Sequence, residues 1–231
     1  MTDQQVQGRL VVFEGPDGVG KSTLAKQLAN RLRETGVPCK HLAFPGRQSG
    51  SLGHVVYELH RDATRFGLGA VNRTSLQILH LAAHVDSIEG QILPALRAGT
   101  WVVLDRFWWS TWVYGTAFGV PERSLETMID LEQLHWGQFK PDIVFLVERS
   151  NDTSSDADRA QRQLVEGYRE LVTRERFNSR VATLYNDSSV EDALDSVWDE
   201  LTYIDRRLSQ RNVSSTEAQP GDQLPLLAEK A

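Results

Sequence analysis

The chain holds one cysteine, Cys39, in 231 residues. A lone thiol excludes an internal disulfide framework and leaves no thiol cluster for a structural metal. Cys39 is expected to pack as a small apolar residue rather than to act as a nucleophile. Basic residues are also in short supply, with 25 Lys and Arg against 31 Asp and Glu and a net charge of −6. No overall positive field draws in a nucleic-acid polymer, although a small anion site can still be locally positive. No uncharged run approaches the about eighteen apolar residues that a membrane span needs, and Met1 to Arg9 is polar. These absences lead to the expectation of a cytoplasmic, reducing location and of small-molecule ligands, with no polymer and no membrane.

What is present is an alternation of short apolar runs with longer amphipathic stretches. That alternation predicts βαβ crossovers and a single three-layer α/β/α domain with a mainly parallel sheet. Strands are expected at Leu10–Glu14, Cys39–Phe44, Trp101–Leu104, Ile143–Val147 and Val181–Tyr185. Lys21–Glu34 carries Leu24, Leu28 and Leu32 at helical spacing and stops at Gly36-Val37-Pro38. Asn72–Ala98 reads as one long helix, bent near Gly90 or Pro94. Pro121–Gly137, Asp158–Asn178 and Val190–Leu208 read as further helices, the last opened by Asp187-Ser188-Ser189 as a capping cluster. The domain is expected to end near residue 208. Ser209–Ala231, rich in Ser, Gln, Pro and Gly, reads as a disordered tail.

The most informative motif is Gly15-Pro16-Asp17-Gly18-Val19-Gly20-Lys21-Ser22-Thr23, which follows Leu10–Glu14 and opens a helix. It fills every position of G-x-x-x-x-G-K-[ST], in the strand–turn–helix context the pattern requires. Gly15, Gly18 and Gly20 allow a tight turn whose N–H groups converge on phosphate oxygens, reinforced by the helix N-terminus. Lys21 would neutralise the β- and γ-phosphates of ATP, and the Ser22 hydroxyl would be a ligand of its Mg²⁺. Val19 and Thr23 complete the cradle.

Two further motifs end predicted strands. Trp101–Leu104 delivers Asp105 and Arg106 to the carboxyl end of the sheet, where ligands of open parallel sheets bind. Asp105 could hold the Mg²⁺ hydration shell and Arg106 could grip a second phosphate. A strand-terminal Asp-Arg is also an ordinary ion pair; the phosphate loop nearby favours the ligand role. Phe44-Pro45-Gly46-Arg47 forms a turn that aims Arg47 over the sheet, or else leaves it a solvated loop arginine.

Together these motifs resemble the thymidylate kinase family of P-loop nucleoside monophosphate kinases. The resemblance covers most of Leu10 to Leu208: Phe13–Thr23, the Phe-Pro-x-Arg of Phe44–Arg47, and Gly99–Phe107. It continues through Ser110-Thr111-Trp112-Val113-Tyr114, Lys140-Pro141-Asp142 and Tyr168-Arg169-Glu170-Leu171. It implies transfer of a phosphoryl group from ATP, with Mg²⁺, to dTMP, and a pairing of two copies through long helices such as Asn72–Ala98. By the same resemblance Asp17 receives the sugar 3′-hydroxyl, Arg47 and Arg106 clamp the acceptor phosphate, and Ser110, Thr111 and Tyr114 wall the nucleoside pocket beside Phe44. The loop itself offers no basic residue before Lys21, so a lid at about 149–162 becomes the source of arginine, Arg159 first, then Arg149 or Arg162. The family usually has an aromatic where this chain has His80 and an arginine where it has His84. Both histidines are kept as substrate-binding candidates, alternatively as core or solvent residues. Of the six tryptophans only Trp108, Trp109 and Trp112 are placed near the pocket, and His54 and His60 receive no role. Alternatives are a deoxynucleoside kinase acting on a 5′-hydroxyl, a nucleotide-binding regulator with lost turnover, and a generic NTPase.

Overall fold

The computed structural model describes residues 7–150 and 157–205, apart from the side chains of 157–159. Five strands form one sheet: β1 (Leu10–Glu14), β2 (Cys39–Ala43), β3 (Trp101–Asp105), β4 (Ile143–Glu148) and β5 (Val181–Tyr185). Their order is β2-β3-β1-β4-β5 and every pairing is parallel. The three central strands are buried along their whole length, which is why they read as LVVFE, WVVLD and IVFLVE rather than alternating with polar residues.

Side chains on successive strand positions enter two separate cores. Val12, Leu104 and Leu146 meet Ile88, Leu96, Trp109, Ile129 and Tyr168 on one face. Val11, Phe13, Val103 and Phe145 meet Leu24, Leu28, Val197 and Trp198 on the other. The second face is covered by α1 (Lys21–Glu34) and α8 (Val190–Ile204). Leu24, Leu28 and Leu32 of α1 are fully buried, and each contributes about 1.5–3 kcal/mol of transfer free energy to holding that helix on the sheet. Three layers and a parallel sheet are therefore as expected.

The other face carries α3 (Arg73–Ser87), α4 (Leu93–Arg97), α5 (Trp108–Ala117), α6 (Glu122–Trp136) and α7 (Ala157–Glu175). The long helix expected over Asn72–Ala98 is divided: a π-helical segment, Ile88–Ile92, joins α3 to α4. A wider turn there absorbs Gly90 and prepares for Pro94, which lacks the N–H that an α-helical interior uses. Two helices went unrecognised in the sequence, α2 (Leu52–Arg61) and α5. The ends of α6, α7 and α8 fall one to four residues short of the expected limits. The capping cluster ahead of α8 resolves to a Ser189 and Asp192 capping box. The expected tail, Ser209–Ala231, lies outside the described residues.

The strand order positions the site. After β1 the chain winds to β2 and β3 on one side, then crosses to β4 and β5 on the other. A crevice opens at the carboxyl end of β1, where such a reversal occurs.

Candidate active site

The loop leaving β1 has its glycines where no other residue fits. Gly15 has φ 136° and a Cβ there would strike the Val147 carbonyl of β4. Gly20 has φ 98° and a Cβ there would strike the Asn186 amide. Asn186, buried just past β5, donates from Nδ2 to the Val19 carbonyl at 2.8 Å. That bond turns the Val19 carbonyl away from the crevice and leaves the following amides free to face it. No sequence motif announced Asn186; its signal was only a polar residue at a strand's carboxyl end.

Lys21 and Ser22 open α1. Lys21 is buried and its ammonium donates to the Pro16 carbonyl. Burial pushes its pKa down to about 8, aided by Arg106 and opposed by Asp105, Glu14 and Asp17. Ser22 donates to Oδ2 of Asp105. The other carboxylate oxygen, Oδ1, is buried with no hydrogen-bond partner, a costly arrangement unless a cation or water completes it. An orphaned carboxylate oxygen beside a hydroxyl at the mouth of a phosphate loop is an oxygen-only donor set, the kind that Mg²⁺ takes. The residues present fit that ion.

Arg106 is the one non-glycine residue with positive φ among those described, 76°. Its backbone N–H donates to the Phe13 carbonyl at 2.9 Å, which ties β3 to β1 at the strained point. Such a conformation costs about 1–3 kcal/mol and persists where the surroundings over-determine it. The twist aims the guanidinium at Ser110 Oγ, 2.9 Å away, and at the carboxylate of Asp17. Tyr114 donates to the other oxygen of Asp17 at 3.0 Å. The Arg106 guanidinium also lies 5.3 Å from the Tyr114 ring centre.

Behind this cluster stands Glu14, the last residue of β1 and fully buried. Its Oε1 accepts from the N–H groups of Phe107 and Ser110, at 2.7 and 3.0 Å, and its Oε2 accepts from Ser110 Oγ at 2.8 Å. Burial pushes the Glu14 carboxyl up, against Arg106 and these donors, which favour the charged form. Tyr168 shares the Ser110 hydroxyl at 2.9 Å.

A cavity of about 270 Å³ collects the expected acceptor residues, small among ligand pockets. Asp17, Arg47, Arg106, Ser110, Thr111 and Tyr114 line it toward the phosphate loop, and Phe44, His80 and His84 line it as well. Arg47 is exposed, with its guanidinium 5.1 Å from the centre of the Tyr57 ring. His60, to which no role had been given, also lines the cavity and meets His80 at 3.0 Å, Nδ1 to Nε2. Burial, with His84, His60 and Arg106 nearby, brings His80 down to about 3, so it is a neutral ring. His84 is buried, stacked on Phe44 at 4.1 Å, and bonded through Nδ1 to Glu132 at 2.9 Å.

The tryptophans are placed differently from the expectation. Trp108 and Trp109 are buried in the core and Trp112 packs against it, and none of the three lines the cavity. Large aromatic area goes to packing wherever helices cross. Val19 is buried within the loop and Thr23 is exposed on the first turn of α1. Of the expected lid, residues 151–156 and the Arg159 side chain lie outside the described residues; Arg149 and Arg162 are exposed.

This geometry has relatives. The 29% identity to the thymidylate kinase of Rhodopseudomonas palustris (strain TIE-1) runs over 215 residues, 85% of this chain and 89% of that protein. Similarity to the Bradyrhizobium sp. (strain ORS 278) thymidylate kinase is 34% over 143 residues, 62% of this chain and 60% of that one. The fold matches the crystal structure of thymidylate kinase from Ehrlichia chaffeensis with a TM-score of 0.69 at 22% identity, over 84% of this chain and 99% of that one. The sequence model of the thymidylate kinase family matches residues 13–197, which span both the phosphate loop and the Arg106 cluster. The chain belongs to the thymidylate kinase family.

Proposed function

We propose that this chain transfers the γ-phosphoryl of MgATP to the phosphate of a deoxynucleoside monophosphate, dTMP first, giving ADP and dTDP. The observation that carries this reading is the junction at Asp17 and Arg106. The phosphate loop that would hold ATP and the cavity that would hold the acceptor share these two side chains at one sheet edge. Phosphoryl transfer requires little of a protein beyond neutralising charge and aligning two anions.

The roles follow from position. Loop amides and Lys21 hold the β- and γ-phosphates. Ser22 and Asp105 would hold Mg²⁺, which when bound screens the charge between those phosphates. Arg106 is pre-aimed by its strained backbone and by Ser110, and Arg47 lies on the opposite wall, so the acceptor phosphate enters between two guanidinium groups. Asp17, drawn toward the cavity by Arg106 and Tyr114, is placed to accept a sugar hydroxyl. Arg159, with Arg149 or Arg162, is assigned to a lid that closes over the transferring group.

A hydroxyl acceptor is disfavoured by Glu14. A 5′-hydroxyl needs a carboxylate base, and both oxygens of Glu14 are already engaged by Phe107 and Ser110. A homodimer is also part of the proposal, supported by exposed Ile78 on α3 and exposed Leu131 and Leu134 on the adjoining α6. Among the described residues no helix is long and apolar enough to cross a membrane; a cytoplasmic location agrees with this and with the single cysteine. The test is a panel of deoxy- and ribonucleoside monophosphates and nucleosides with MgATP, scored for product. Diphosphate from dTMP is expected; product from nucleosides alone, or ATP hydrolysis indifferent to every acceptor, would overturn the reading.

A further inference from the structure

At the end of the acceptor cavity away from the phosphate loop, a buried carboxylate stands directly behind a buried imidazole. Glu132, on α6, is 1% exposed and His84, on α3, is 4% exposed. Oε2 of Glu132 meets His84 Nδ1 at 2.9 Å, while Oε1 accepts the Trp136 indole N–H at 3.2 Å. Phe44 covers one face of the His84 ring, nearly parallel at 11°. With Nδ1 taken and a face covered, Nε2 is the polar atom His84 can offer to the cavity it lines. No described residue bonds to it.

The polarity of that atom is fixed by the pair. An isolated buried charge is costly, so a carboxylate and an imidazole enclosed together are favoured in the arrangement with no net charge. Two distributions of the proton satisfy this. Either imidazolium donates from Nδ1 to carboxylate, or a protonated Glu132 donates to a bare Nδ1. In both, Nε2 carries a hydrogen, because the neutral ring has one N–H and Nδ1 is then the acceptor. Nε2 is bare only in the third distribution, ionised Glu132 with neutral His84, which leaves an uncompensated charge in the core.

We propose that Glu132 is a positioning residue that keeps His84 Nε2 a hydrogen-bond donor, and that this pair selects acceptor bases presenting a carbonyl rather than an amino group at that edge. A 4-keto pyrimidine offers an oxygen to Nε2–H. A 4-amino pyrimidine sets donor against donor. His80, the neighbouring ring, already shares a nitrogen with His60, so it does not duplicate the selection. The proposal rests on the kinase reading above for its substrate, and on geometry alone for the state of Nε2.

The experiment compares dTMP, dUMP and dCMP as acceptors with MgATP, using the full chain as wild type, E132Q and E132L, and records ¹⁵N spectra of histidine-labelled wild type. Wild type is expected to favour both 4-keto acceptors over dCMP by about 10- to 100-fold, the range for one mismatched buried hydrogen bond. His84 Nε2 is expected to give a protonated-nitrogen signal. Removal of the carboxylate in E132L is expected to narrow the preference at least about tenfold, mainly through KM. In E132Q the amide oxygen keeps Trp136, so the NH₂ faces Nδ1 and the preference is retained. A bare Nε2 in wild type, or an unchanged preference in folded E132L, overturns the proposal. If E132L does not fold, the wild-type nitrogen signal decides. Absence of product from all three acceptors overturns the kinase reading instead, and the nitrogen signal still tests Glu132.

Discussion

Asn186→Asp isolates the bond that shapes the phosphate loop. The substitution keeps size and shape but replaces the donating NH₂ with an oxygen, so two acceptors face each other where Asn186 Nδ2 now meets the Val19 carbonyl at 2.8 Å. Val19 and Asn186 are both buried, and water does not easily compensate. Leaving a buried carbonyl unpaired costs about 1–3 kcal/mol. Because the bond holds the loop in the form that receives phosphate, this loss should appear in ATP binding as a roughly 5- to 150-fold weaker Kd. Titration calorimetry with MgATP measures it. The Kd for dTMP serves as the internal control, since Asn186 does not line the acceptor cavity, and it is expected to hold within about twofold of wild type. A folded Asn186→Asp protein with unaltered ATP affinity would refute the argument that this side chain sets the loop.

Three other outcomes are expected. Arg106→Ala removes the guanidinium shared by the two halves of the site; kcat/KM for dTMP should fall about 10²- to 10³-fold, and unchanged steady-state kinetics would remove Arg106 from the mechanism. Lys21 is pushed down to about 8 in the free protein, and bound phosphate favours its charged form. ATP affinity should therefore be full below that pH and decline as pH rises through it, while Lys21→Met should bind weakly with no such inflection. Ser189→Ala breaks the capping box of α8 and should cost about 1 kcal/mol in chemical denaturation with no change in ATP affinity.

Much of this architecture was legible because it is written locally. Strands buried on both faces must be apolar throughout, and a phosphate loop must carry glycine where a Cβ would strike β4 or Asn186. Both constraints act on adjacent residues, so β1, α1 and β3 appear in the sequence within a residue of their true limits. The site residues that were missed are set by distant partners. His60 acquires a place only when α2 packs on α3, and Asn186 only when β5 brings it to Val19. Trp108 and Trp109 were misplaced for the same reason: proximity in sequence to Asp105-Arg106 says nothing about which side of a helix meets the core.

Helix α5 shows the limit most clearly, and it also explains how the site holds together. Its sequence lacks a start signal, because Phe107 occupies the N-cap and no side chain of its own caps the first turn. The cap is Glu14, from β1, whose carboxylate accepts from the N–H groups of Phe107 and Ser110. A negative group at a helix N-terminus satisfies orphan donors and complements the dipole, so the strand that leads into the phosphate loop also nucleates the helix that carries Ser110, Thr111 and Tyr114. The donor and acceptor halves are thereby fixed to one another through a single buried side chain. Glu14→Gln should loosen that joint, since an amide presents one acceptor oxygen where the carboxylate now serves the Phe107 and Ser110 donors. The expected signature is a fall in kcat larger than the change in either substrate's Kd, because alignment between the two bound anions, rather than the binding of each, is what Glu14 maintains.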